Sequence, residues 1–316
     1  MTTQRIALIG LGEVGQVLAS DLHGANGAQL HAWDRLFAVE GSEPQRAARA
    51  MGFVHAAGGM AEAVSGSPIV ISAVTAGDCL EAAVEAAASL ASGAFYLDLN
   101  SVSPPTKLEA ARAIEAAGGR FVEAAVMSPI APKRIASPIW LGGPHAREFL
   151  PLAHSLGFSG SAVRSERIGQ ASAAKMCRSV IVKGVEALLA ESLLTARRYG
   201  VEDEVLASLQ DLFPVDDWHK LARYMIARSL RHGGRRAEEM REAAHTVAEA
   251  GIEPWMSWGI SERQRWAAQH ADALRQIALT VMLDLMLVRT PASAPATAEV
   301  PASVPEGEPA KAAGLR

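Results

Sequence analysis

The sequence predicts an α/β domain followed by an all-α domain. Three features carry this. Short β-branched runs alternate with alanine-rich helical stretches as far as about residue 163, strand patterns stop near Ser165, and a glycine-rich turn follows the first apolar run directly. Taken in order, the predicted strands are Arg5–Ile9, Gln29–Trp33, Ile69–Ala73, Phe95–Leu99 and Phe121–Val126, with Pro138–Leu141 as a weaker sixth. Helical patterns at Val14–Leu22, Cys79–Leu90 and Thr106–Ala117 separate them. Strand–helix–strand repetition implies a mostly parallel sheet covered on both faces.

Gly169–Tyr199 then reads as a single helix, about 45 Å long at 1.5 Å per residue. Further helices are predicted at Asp203–Leu212, Asp217–Arg231, Arg235–Ala250 and Trp258–Leu287, punctuated by Gly200, Pro214, Gly233-Gly234 and Gly251. From Thr290 the composition narrows to Pro, Ala, Ser and Glu, too poor in apolar bulk to offset its ordering entropy, and disorder is expected there. The expected domains are residues 1–163, 164–289 for substrate binding and dimerisation, and a tail at 290–316.

Composition narrows the function classes. The 316 residues are 49% hydrophobic and 20% charged, which suits globular domains with a sizeable core. The net charge of -4, with no long basic run, argues against a nucleic-acid partner. Cys79 and Cys177 match no metal-ligand spacing and read as reduced thiols of a cytoplasmic protein. His219, His232 and His245 fit no metal spacing either, so no metal site is expected. No signal peptide is evident at the N-terminus. The apolar stretch Ile277–Leu287 is interrupted by Asp284 and too short to span a bilayer, so no membrane association is expected.

The run Ile6-Ala7-Leu8-Ile9-Gly10-Leu11-Gly12-Glu13-Val14-Gly15 is the strongest local signal. A lone GxGxxG is weak, but here it follows a strand and opens a helix, so each glycine acquires a task. Gly10 permits a tight turn, Gly12 lets a pyrophosphate approach the backbone, and Gly15 lets helix and strand pack closely. The helix N-terminus offers free N–H groups and a positive dipole end to the phosphates. This is a Rossmann dinucleotide-binding signature, with Gly10, Leu11, Gly12, Glu13, Val14 and Gly15 as the cofactor loop. Asp34 ends the second strand where a carboxylate would accept from the adenosine ribose hydroxyls, which favours NAD. Arg35, next in sequence, would instead hold the 2′-phosphate of NADP. Asp34 capping a turn is the plainer alternative.

With these motifs the chain resembles the β-hydroxyacid dehydrogenase family, which includes 3-hydroxyisobutyrate and 6-phosphogluconate dehydrogenases and has imine reductases as distant relatives. The family's G-L-G-x-M-G appears as Gly10-Leu11-Gly12-Glu13-Val14-Gly15, its loop beside the nicotinamide as Ser72-Ala73-Val74-Thr75, and its D-x-S-T-x-x-P as Asp98-Leu99-Asn100-Ser101-Val102-Ser103-Pro104. Its G-x-G-x-x-x-K-x-x-N-N corresponds to Gly169-Gln170-Ala171-Ser172-Ala173-Ala174-Lys175-Met176-Cys177-Arg178-Ser179. The family's D-A-P-V-S-G-G, whose last residues hold the substrate carboxylate, reads Glu123-Ala124-Ala125-Val126-Met127-Ser128-Pro129. Together with Ala171 and Ser179 in place of the family's glycine and asparagine, that departure points away from 3-hydroxyisobutyrate. The segment His232–Arg241 looks like a divergent helical domain similar to those of phosphogluconate dehydrogenases.

The resemblance implies an NAD(P)-dependent oxidoreductase acting on a small hydroxy or keto acid as a homodimer, with Val74, Thr75 and Ser101 beside the cofactor. Ser101, Met127 and Ser128 then lie beside the substrate. Lys175 is implied as general acid/base. Its small apolar neighbours suggest partial burial and a depressed pKa. Ser179 and Lys183 follow on the same helix stripe, Ser179 as a donor to the substrate oxygen and Lys183 as a partner for a carboxylate or phosphate. From spacing alone both lysines would equally serve as solvated helix charges. Arg235, Arg236, Glu238, Glu239 and Arg241 read first as ion pairs on a solvated helix face, and second as an anion site built on Arg236. Trp255, Trp258 and Trp266 are expected in the core or a dimer interface. Two other functions stay open at this point: an NADPH-dependent imine or keto reductase, and a non-catalytic nucleotide sensor.

Overall fold

The computed structural model describes residues 4–288. Among these residues eight strands form one sheet: β1 (Arg5–Ile9), β2 (Gln29–Trp33), β3 (Val54–Ala56), β4 (Ile69–Ser72), β5 (Phe95–Asp98), β6 (Arg120–Val126), β7 (Ile139–Gly142) and β8 (Ser161–Ser165). Their spatial order is β3-β2-β1-β4-β5-β6-β7-β8. The first six run parallel. β7 is antiparallel to β6, and β8 is parallel to β7. The chain winds outward from β1 to β3, then returns to place β4 on the other side of β1. This reversal leaves a crevice beyond the C-terminal ends of β1 and β4, where doubly wound sheets bind their ligands.

Helices α1 (Glu13–Asn26), α2 (Glu43–Ala50), α3 (Met60–Val64), α4 (Cys79–Ala87), α5 (Pro104–Ala116), α6 (Ile130–Lys133) and α7 (Ala146–Ser155) connect the strands. Alternate strand residues feed opposite faces. Ile6, Leu8 and Leu97 enter one core with Leu18, Leu22 and Phe149, while Ala7, Ile9 and Tyr96 enter another with Ala83, Ile114 and Phe121. β3 and β8 are absent from the sequence-based strand set. β3 has three residues, of which only Val54 is buried, and β8 is an edge strand carrying Arg164 and two serines. Neither offers the apolar alternation that marks a strand in sequence.

The remaining helices are α8 (Gln170–Tyr199), α9 (Glu202–Leu212), α10 (Trp218–Glu249), α11 (Trp255–Ala268) and α12 (Leu279–Val288). Leu189, Leu193, Ile226, Leu230, Met282 and Met286 form their main core. Two sequence expectations are corrected here. The predicted break at Gly233-Gly234 does not occur, and α10 runs straight through for 32 residues. A Cβ on Gly233 would lie 2.2 Å from the Gln264 carbonyl oxygen and 3.0 Å from the Ala268 nitrogen, so glycine serves close packing of α10 on α11. Conversely, the single helix predicted over Trp258–Leu287 is two, separated by a short 3-10 turn at Ala271–Arg275. No glycine or proline marks that break. A local contact and a tertiary one hold it: the tilted rings of Trp266 and His270 lie with centroids 4.3 Å apart, and Arg223 donates to the Gln276 carbonyl at 2.7 Å.

Trp266 packs beside the helical core, but Trp255 and Trp258 are exposed. Among the described residues no helix is long and apolar enough to cross a membrane. The expected disordered tail, 290–316, lies outside the described residues.

Candidate functional site

The glycine loop links β1 to α1 at the mouth of the crevice. Gly10 has φ +90°, and a Cβ there would lie 2.5 Å from the Ala73 carbonyl oxygen at the end of β4. At Gly15 a Cβ would sit 2.1 Å from the Gly10 carbonyl oxygen. Gly12 differs from both: nothing lies within 4 Å of its Cβ position, and it stands at the N-cap of α1 with no side-chain cap. The bare helix start and the open space above Gly12 fit a diphosphate, whose oxygens would take the uncapped N–H groups. The residues present therefore fit a dinucleotide, held by Gly10 to Gly15 along its diphosphate.

Asp34 closes the loop from β2. Its Oδ2 accepts from the Leu11 N–H at 2.8 Å and its Oδ1 from the Leu36 N–H at 2.9 Å. Asp34 thus does cap the turn at Arg35–Ala38, and it also ties β2 to the glycine loop. Each oxygen retains acceptor capacity for a ribose hydroxyl. Arg35 is paired with Asp78, whose other oxygen accepts from Thr75 Oγ1 at 2.6 Å.

A buried polar network supports the other wall. Asn100 Oδ1 accepts from the Val74 N–H at 2.7 Å, and its Nδ2 donates to Ser72 Oγ at 2.9 Å. The Asn100 N–H donates to Asp98 Oδ1 at 2.9 Å. Lys107, on α5, places Nζ 3.1 Å from Asp98 Oδ1 and donates to the Asp98 carbonyl at 3.0 Å. These groups hold the loop through Val74 and Thr75 against the loop that carries Ser101. Burial pushes the neighbouring Cys79 thiol up, so it stays protonated and takes no nucleophilic part.

α8 enters beneath this wall, anchored by a carboxylate. Glu123, fully buried on β6, accepts from the Gly169 N–H at 2.8 Å and the Ser172 N–H at 2.6 Å. An acid at a helix N-terminus satisfies orphan donors and complements the dipole. The anchoring places Lys175 two turns into α8 with its Nζ donating to Ser101 Oγ at 2.5 Å. Desolvation lowers the Lys175 pKa to about 8. Glu239 opposes that shift, and Lys107, Lys183 and Arg235 add to it. Ser179 is buried one turn further on. Met127 and Ser128 follow β6 and are partly exposed, with the Met127 N–H donating to the Pro138 carbonyl at 2.9 Å.

α10 supplies the opposite side, and here the sequence expectations change most. Lys183 is not a free cation: it is buried, and its Nζ lies 2.6 Å from Oε2 of the largely buried Glu239. Arg235 donates to Glu239 Oε1 at 2.8 Å. Burial pushes the Glu239 carboxyl up, but Lys183, Arg235 and Lys175 together hold it down at about 2. Arg236, expected on a solvated face or at a substrate anion, does neither. It is buried and paired with Glu186 of the same chain, which Arg228 and Gln264 also approach at 3.0 and 3.2 Å. Glu242 accepts from the Ser103 N–H at 2.8 Å and so ties α10 to the start of α5.

The sequence motifs included Asp98 and Glu123 without giving them a role, Lys107 was missed, and Glu239 was placed on a solvated face. A carboxylate inside an apolar strand, as at Glu123 in Phe121–Val126, was the signal available. For Glu239 there was none, since a mixed-charge helix stripe looks the same whether it meets water or a cleft.

A switch-point crevice, a glycine loop bare at Gly12 and a long helix that follows the sheet define a Rossmann dinucleotide-binding protein with a helical partner domain. Comparison with known proteins agrees. Residues 5–146 match the family model described as the NAD binding domain of 6-phosphogluconate dehydrogenase, and residues 196–267 match a domain of unknown function, DUF1932. The crystal structure of a conserved hypothetical protein from Sinorhizobium meliloti 1021 is 35% identical, with a TM-score of 0.70 over 92% of this chain and 97% of that one. A conserved protein of unknown function, described as structurally similar to 3-hydroxyacid dehydrogenases, is 34% identical, with a TM-score of 0.64 over 84% of this chain and 98% of that one. A Mycobacterium tuberculosis 3-hydroxyisobutyrate dehydrogenase shares the fold at 17% identity, with a TM-score of 0.66 over 92% of this chain and 100% of that one. The chain belongs to the β-hydroxyacid dehydrogenase family, and its dinucleotide is NAD or NADP.

Proposed function

We propose that this protein transfers a hydride between NAD(P) and the hydroxyl-bearing carbon of a small β-hydroxy acid, with Lys175 as general acid/base. The observation that carries this reading is the placement of Lys175 Nζ on Ser101 Oγ, with a pKa lowered to about 8 by burial. A lysine tuned near neutrality exchanges protons in both directions. The bound nicotinamide would supply the hydride acceptor. Neutral Lys175 takes the hydroxyl proton as the C–H electron pair leaves with the hydride, producing the carbonyl. In reduction the ammonium returns that proton. Ser101 donates to the same substrate oxygen and holds it in line with Lys175, and Ser179 supports it from the next turn of α8. Met127 and Ser128 border the substrate.

Asp34 favours NAD, because its carboxylate stands where a 2′-phosphate would need a cation, and Arg35 is engaged by Asp78. A panel of small hydroxy acids, assayed for NADH and NADPH formation, tests the reading. The expected result is turnover of at least one β-hydroxy acid with tighter binding of NADH than NADPH. Reduction of imines with NADPH and no hydroxy-acid oxidation would replace this proposal, and cofactor binding with neither reaction would leave a nucleotide sensor.

We also infer a homodimer built on the helical region. Ile181, Leu188, Tyr199, Leu212, Trp255 and Ile277 are exposed there, and pairing of the helical regions would cover such residues. Light scattering at micromolar concentration is expected to give twice the chain mass. A fully active monomer would refute the assembly.

A further inference from the structure

We propose that Arg235 on α10 is the carboxylate receptor of this site and that Glu239 is the hub that aims it; the proposal rests on the hydroxy-acid reading above. Lys183 and Arg235 share one carboxylate, Glu239. Lys107 is separately matched by Asp98. The charges that act on Lys175, namely Lys107, Lys183 and Arg235 with the carboxylates Asp98 and Glu239 that pair them, therefore keep one unit of positive charge before Lys175 itself is counted. Lys183 is enclosed and bonded to Glu239, so it is poorly placed to release its ammonium to a ligand. Arg235 is half exposed and is held by Glu239 through one terminal nitrogen, Nη1. Its remaining N–H groups suit the planar, two-oxygen geometry of a carboxylate.

The loop after β6 offers few donors of its own: Pro129 has no N–H and the Met127 N–H is already given to the Pro138 carbonyl. A receptor supplied from α10 replaces what that loop lacks. Arg236, its neighbour, is excluded by its buried pairing with Glu186.

Calorimetric titration of the NAD-saturated protein with 3-hydroxypropanoate and with its neutral amide tests the assignment. The acid is expected to bind more tightly than the amide. Arg235→Ala should weaken acid binding about 10–100-fold, the range for one charge-assisted pair, and leave amide binding and NAD affinity unchanged. Arg235→Lys should restore part of the preference. Glu239→Gln removes the one anion that raises the Lys175 pKa, against Lys107, Lys183 and Arg235, which lower it. The pH limb of hydroxy-acid oxidation should then move to lower pH. An acid that binds no better than the amide, or an Arg235→Ala variant that keeps the preference, overturns the proposal. Weakened NAD binding with an intact preference would also overturn it, assigning Arg235 to the cofactor diphosphate. Because these titrations need no turnover, failure of the hydride-transfer reading would appear separately, as an unaffected rate in Lys175→Met.

Discussion

Lys175→Met is expected to lower kcat/KM for hydroxy-acid oxidation by about 10²–10⁴-fold, the usual contribution of a positioned general acid/base. Methionine keeps the length and apolar contacts of the side chain but carries no proton. Dinucleotide affinity should hold, because Gly10, Gly12, Gly15 and Asp34 form a separate wall of the crevice. The pH dependence adds a second signature. Oxidation needs the neutral amine, so kcat/KM in the wild type should rise as pH increases through about 8 and level off above it. Reduction needs the ammonium and should fall through the same region. Both limbs should vanish in the variant. Ser179→Ala should cost less, since it removes one hydrogen bond and leaves the proton carrier. A Lys175→Met enzyme with wild-type turnover would move the chemistry elsewhere in the crevice.

The second large effect separates two glycines of the cofactor loop to which the sequence assigns different tasks. Gly12→Val should abolish NAD and NADP binding, measured by fluorescence titration, with little change in Tm. Its backbone is extended at φ -76°, which any residue adopts, and the space beyond its Cβ is open, so the branched side chain fits the protein and fills the phosphate site. Gly15→Ala should do the reverse. Its Cβ would meet the Gly10 carbonyl oxygen at 2.1 Å, and backbone atoms cannot yield cheaply. Overpacking of this kind costs about 1–3 kcal/mol, enough to lower Tm by several degrees in a domain of this size. A Gly12→Val protein that binds either cofactor with wild-type affinity would place the diphosphate away from this loop.

The N-terminal half was legible in the sequence because its signals are local. Apolar runs around β1, β2, β4, β5 and β6, and glycines at fixed offsets behind β1, report conformations that each short segment prefers by itself. The cofactor loop follows from that locality, since its turn, helix start and glycines are contiguous. The uninterrupted length of α8 was legible for the same reason, between Gly169 and Gly200, both in left-handed conformations.

What the sequence by itself determined is thus the dinucleotide-binding half and the long helix behind it, while Lys175 stood out from other helix charges only through the family resemblance. Tertiary structure alone decided the meaning of the α10 charges. The stripe through Arg235 and Glu239 has the spacing of a solvated face, and only the packing of α10 on α8 closes it over Lys183 and toward Lys175. It also decided that Arg236 is buried on Glu186, that Gly233 lies inside a helix because α11 passes 2.2 Å from where its Cβ would be, and that Glu123 caps a helix more than forty residues away. The physical reason is common to all of them. Periodicity states which side chains share a face, but the partner that face meets, and hence whether a charge is hydrated or must be paired, is set by elements distant in the chain.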